Sequence, residues 1–118
     1  IRLMRKVLAI LGITLSSLVY SQQQYASYYG DNFHNRNTAS GKRLNIYGDH
    51  CAHKTYPFGT KLLITNTNTG ATAVCTVIDR GPFVKNRVLD LTTTTFKQLG
   101  GKLRDGLIPV TVKVHEQS

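Results

Sequence analysis

The chain has 118 residues, fifteen Lys/Arg against six Asp/Glu, a formal net charge of +9, two cysteines and no tryptophan. That length holds at most one domain. Its basic residues form no dense block, and Phe and Tyr do not interleave with them, so a base-stacking nucleic-acid platform is not expected.

Arg2, Arg5 and Lys6 form a basic head ahead of a short apolar run, Val7 to Val19, and small or polar residues follow. This is the layout of a secretory signal peptide over residues 1–21, leaving residues 22–118 as the domain. The run is short and interrupted by Ser and Thr, so no membrane segment is expected after cleavage. No cysteine stands at the expected cleavage point, so the mature protein is expected free of a lipid anchor, in the periplasm or outside the cell. Twelve basic side chains then face six acidic ones, a net charge of +6. Outside the cytoplasm that balance suits an anionic partner such as a wall polymer or lipid headgroups, or it serves solubility alone.

Residues 25–30 alternate as an opening strand ending at a glycine. Asp31 to Ser40 is polar loop, residues 41–49 are irregular, and Cys51-Ala52-His53 is a short buried segment. Pro57-Phe58-Gly59-Thr60 reads as a turn. Strands are expected over 61–65 and 71–78, joined by an Asn/Thr/Gly hairpin loop over 66–70. A short strand over 88–91 precedes a helix capped by Thr92 or Thr93 and stopped by Gly100-Gly101. The last strand places Val110, Val112 and Val114 on one face. Five or six short strands with one helix suggest a small closed barrel, since so few residues cannot cover two open sheets.

The strand over 71–78 runs directly into Asp79-Arg80-Gly81-Pro82-Phe83. Gly and Pro end it, so the Asp79 side chain is held rigidly at a strand exit. Asp79 either carries chemistry there or only caps its own turn. Export makes a Cys51–Cys75 disulfide the default, closing a loop of about 24 residues and stabilising by ~3 kcal/mol. A metal site using His50 and His53 fits poorly with the spacing, and no metal or cofactor is expected.

Three segments together resemble one family. Ala26-Ser27-Tyr28-Tyr29-Gly30, Phe33-His34 and Thr38-Ala39-Ser40-Gly41 form its opening. Ala52-His53-Lys54 with Pro57-Phe58-Gly59-Thr60 is the second signature. Asp79-Arg80-Gly81-Pro82-Phe83 with Arg87-Val88-Leu89-Asp90-Leu91 is the third. The chain is similar over about residues 25–115 to the rare lipoprotein A (RlpA) family, septal lytic transglycosylases acting on peptidoglycan. The resemblance implies a mainly β fold, a six-stranded double-psi β-barrel with one or two short helices and a groove for a glycan strand. It places the catalytic aspartate on Asp79 and an active-site histidine on His53. The family's usual glutamate falls on Lys42, so a cation stands where a carboxylate is expected.

A lytic transglycosylase uses no water: the 6-hydroxyl of the muramic acid attacks its own anomeric carbon. One residue, Asp79, can then act as acid and afterwards as base. His53 is expected to orient it. Arg80 is expected at the groove mouth for carboxylates or acetamide oxygens, and Tyr29, Tyr28 and Phe83 as stacking surfaces for sugars. Lys42 bears on the same groove, where a cation would favour an ionised carboxylate. Asp90 is expected to pair with Arg80 or cap the helix, and Asp49 is the candidate substitute for the missing glutamate. The resulting expectation is a monomeric endolytic transglycosylase on peptidoglycan strands. A non-catalytic, expansin-like glycan-binding barrel is the alternative, favoured by Lys42. An inverting hydrolase would need Asp49.

Overall fold

The computed structural model describes residues 22–116, so the expected signal peptide lies outside the described residues. Six strands follow in chain order: β1 (Gln24–Tyr28), β2 (His50–Ala52), β3 (Lys61–Asn66), β4 (Thr72–Asp79), β5 (Arg87–Leu91) and β6 (Ile108–Glu116). They close into a barrel in the order β1-β5-β2-β4-β3-β6. β1 runs parallel to β5 and β2 parallel to β4, while the other four joints are antiparallel. Parallel neighbours cannot be joined by a tight hairpin. The chain therefore crosses the barrel ends in long loops, and those loops build the site.

The alternation read from the sequence fills the barrel. Leu62 and Ile64 of β3, Cys75 and Val77 of β4, Leu89 and Leu91 of β5, and Ile108 and Val110 of β6 form one buried cluster. Val112 packs against that cluster, but Val114 is exposed near the end of β6, so the three valines do not share one environment. Asn66 also points inward. Its Nδ2 donates to the Leu99 carbonyl at 2.7 Å, and its Oδ1 accepts from the Asn68 and Thr69 amides, which satisfies a buried amide and fixes the hairpin loop.

A six-residue helix, α1 (Thr93–Gln98), adds Phe96 to the core, and Leu99 joins it just beyond. Thr92 is the cap: its Oγ1 accepts from the Thr95 amide and donates to the Gly48 carbonyl at 2.6 Å. Gly100 ends the helix with φ +79°. Gly101 matters for a different reason. A Cβ there would sit 2.4 Å from the ring of Phe96, which is fully buried, and 2.8 Å from the Phe96 carbonyl oxygen. Neither group has room to retreat in a close-packed core. Gly101→Ala is therefore expected to destabilise by about 2 kcal/mol, read from the urea midpoint at unchanged m value.

The 21 residues between β1 and β2 read as featureless loop, yet they have a core of their own. Leu44 and Ile46 are buried against Ile78 of β4, with Tyr29 packed beside them. The bridge between Asn37 and Arg43 closes the loop on itself. This satellite cluster lays the crossover against the end of β4.

Candidate active site

Asp79 is the last residue of β4 and is partly exposed. The parallel register of β2 and β4 sets Ala52 beside it, and Asp90 of β5 pairs with Ala52 in turn. Ser27 of β1 completes the row. Asp79 and Asp90 thus stand two strands apart, about 10 Å at the backbone.

Each Asp79 oxygen has one partner. The Tyr29 hydroxyl donates to Oδ2 at 2.7 Å, and the Ala39 amide donates to Oδ1 at 2.9 Å. The Ala39 amide is aimed by a tight turn. Thr38 donates from its amide and its Oγ1 to the Lys42 carbonyl, the Gly41 amide returns to Thr38, and Gly41 takes φ +90°. The Ser40 amide donates to the Ile78 carbonyl, which locks the turn over the strand end. Each carboxylate oxygen can accept twice, so one acceptor position on each remains for substrate.

Tyr29 therefore does something other than the expected stacking on a sugar. Burial first, then the hydrogen bond to Asp79 and the charges of Asp79 and Asp90, hold its phenol far above the ordinary value. It stays a donor at every physiological pH. Tyr29→Phe removes that donor and is expected to destabilise by about 1–2 kcal/mol, measured by urea unfolding.

His53 meets Asp79 through the backbone: its amide donates to the Asp79 carbonyl at 3.2 Å. The imidazole Nδ1 instead accepts from the Thr55 and Tyr56 amides, so Nε2 carries the proton of the neutral ring. The ring also lies against Tyr56, with centroids 4.3 Å apart. Burial, together with the positive charges of Arg80 and Lys54, pushes His53 below its ordinary value, so it is neutral at pH 7. The carboxylate is held by Tyr29 and Ala39, not by this imidazole.

Arg80 also departs from expectation. Its guanidinium donates to the His53 and Tyr56 carbonyls and stacks over Phe58, 4.1 Å from the ring centroid. It braces the 53–58 loop. Asp90 pairs with neither Arg80 nor the helix; it accepts a short hydrogen bond from Ser27. Asp49 lies lower on the barrel, its carbonyl accepting from the Thr76 amide three residues before Asp79. That puts it about 10 Å back along β4 by strand rise.

Lys42 is exposed and makes no ion pair within 4.0 Å among the described residues, where Arg104 and Asp105 are paired at that distance. Phe83 is 79% exposed just past the cis Gly81–Pro82 bond, free to meet a ligand. Cys51 and Cys75 are bonded, as expected. No cluster of metal-ligating side chains occurs among the described residues.

The missed contributors were the Ala39 amide and the Tyr29 hydroxyl. Both come from the opening motif, but neither a main-chain donor nor the aim of a phenol can be read from residue type.

A closed six-stranded barrel with two parallel pairs, holding a cradled aspartate at a strand exit, defines a double-psi β-barrel with a polar site on its rim. Residues 21–112 match the family described as "Lytic transglycolase", and the chain belongs to that RlpA-like family. It is 48% identical over 90 residues to the probable endolytic peptidoglycan transglycosylase RlpA of Aquifex aeolicus, covering 76% of this chain and 39% of that protein. With the endolytic peptidoglycan transglycosylase RlpA of Pseudomonas aeruginosa the figures are 43% over 75 residues, 64% and 22%. The chain thus spans well under half the length of these relatives. Among solved structures, a Clavibacter michiganensis expansin in complex with cellohexaose superposes with a TM-score of 0.61 at 20% identity, over 80% of this chain and 50% of that one. This last likeness concerns the fold.

Proposed function

We propose that this barrel is an exported endolytic peptidoglycan transglycosylase, cleaving MurNAc–GlcNAc bonds and leaving 1,6-anhydro ends. The observation that carries the reading is Asp79: fixed at the exit of β4 by one hydrogen bond per oxygen, yet open to solvent. The names of the relatives supply the substrate class.

In this reading Asp79 is the acid: its carboxyl proton passes to the glycosidic oxygen as the bond from that oxygen to the anomeric carbon breaks. The 6-hydroxyl oxygen of the same muramic acid bonds to the anomeric carbon, and its proton returns to Asp79. Because the nucleophile is tethered, an effective molarity of ~10⁵ M or more replaces a second catalytic carboxylate. His53 supports the site from just past the end of β2, with its Nε2 proton available to a sugar oxygen. Phe83 offers a face to a sugar ring, and Lys42 meets the strand from the Thr38–Lys42 turn rather than balancing Asp79.

Lys42 also supports a second reading, a barrel that binds glycan without cutting it. Digestion of stem-peptide-free strands, followed by weighing the products, separates the two. Anhydro ends are expected. Retained binding with no new ends would establish the second reading, and reducing ends would mean hydrolysis by water instead.

A further inference from the structure

A cleft of about 460 Å³ opens at His53, whose amide donates to the Asp79 carbonyl. Its walls are the start of β1, the loop after β2 and the loop before β5. Its polar groups include Gln24, His53, Lys54, Lys85, Asn86 and Arg87, with no carboxylate among its lining residues. Lys54, Lys85 and Arg87 make no ion pair among the described residues, in a domain whose twelve basic side chains face only six acidic ones. The loop that carries two of these cations is built. The Tyr25 amide donates to the Asn86 carbonyl at 2.8 Å, the Arg87 amide to Val84 at 3.2 Å, and Asn86 takes φ +67°. Three cations on a fixed scaffold facing one hollow repel each other until an anion arrives.

We propose that this cleft is a carboxylate subsite for the glycan strand, engaging the acidic group of a muramic acid in the strand bound at Asp79. The proposal rests on the glycan reading above, and Arg80, whose Nη1 donates to two carbonyls, is not among the residues that line this cleft. A carboxylate fits because His53, itself a lining residue, carries its ring proton on Nε2, so the cleft combines positive charge with a directional donor. Burial first, then the charges of Arg80 and Lys54, lower His53, so one of the cleft's cations already acts on this ring. In peptide-free strands the lactyl group presents a carboxylate on every muramic acid. In peptide-bearing strands that group is an amide, and the stem peptide supplies carboxylates instead.

The test is binding, measured by calorimetry in the Asp79→Asn background so that strands stay intact. Peptide-free strands, the same strands with lactyl carboxylates methyl-esterified, and peptide-bearing strands are compared against Lys54→Gln/Lys85→Gln. The double variant is expected to weaken peptide-free strands at least 10-fold and to leave esterified strands within 2-fold. A drop of the same size on peptide-bearing strands would add the stem peptide as a source of the carboxylate. The His53 imidazole, followed by NMR, is expected to titrate higher once peptide-free strands are bound. Equal loss on esterified strands, or no loss on any, overturns the subsite. Cleavage is not part of the readout, so a barrel that binds without cutting would fail the enzymatic reading and leave this one standing.

Discussion

Asp79→Asn is expected to reduce the release of anhydro-ended fragments by about 10³-fold, the scale of losing one positioned acid/base. The fold should survive, because an amide oxygen still accepts from the Tyr29 hydroxyl or the Ala39 amide, and the residue lies on the rim outside the main buried cluster. What disappears is the group that can release and recover a proton. The check is mass spectrometry of digested peptide-free strands beside far-ultraviolet circular dichroism of the variant. A rate within tenfold of the parent protein, with the fold intact, would refute Asp79 as the acid. The comparison with Tyr29→Phe is informative, since that change leaves the carboxylate in place and only loosens its aim.

Replacing Cys51 and Cys75 together by Ala is expected to cost about 3 kcal/mol and to lower the melting temperature by about 12–24 °C. The bond joins β2 to β4 across a separation of 24 residues, with Cα atoms 5.8 Å apart, so its loss frees a sizeable loop in the unfolded chain. Both cysteines are fully buried in the main cluster beside Leu62 and Leu91. The shorter side chains therefore also leave space that the core does not refill. The same bond holds the strand that ends at Asp79 against the strand that precedes His53, so activity should fall at temperatures where the parent protein is still folded. Calorimetric melting of the double variant checks the stability. A shift under 5 °C would mean that the barrel closes without the crosslink.

The two effects differ in how far the residues announced them. Alternation in β3 and β4, the Asn/Thr/Gly hairpin and the Thr92 cap are local, and each lies where the pattern put it, to within a residue or two. Leu44 and Ile46 were harder. Their burial depends on Ile78, more than thirty residues away, and no period of 2 or 3.6 marks such a loop. The bracing role of Arg80 was hidden for a related reason. A guanidinium beside a groove motif suggests a ligand contact, and residue type does not tell that its Nη1 bonds two carbonyls of the 53–58 loop.

By itself the sequence determined the mainly β barrel, the cysteine pairing and the identity of the strand-end aspartate, since each follows from residues adjacent in the chain or from three ordered motifs. Only the tertiary structure decided who holds that aspartate, where Lys42 and Arg80 go, and that three cations share one hollow. Those outcomes depend on parallel strand pairs that bring distant loops to one rim, and on hydrogen-bond directions that residue type does not encode.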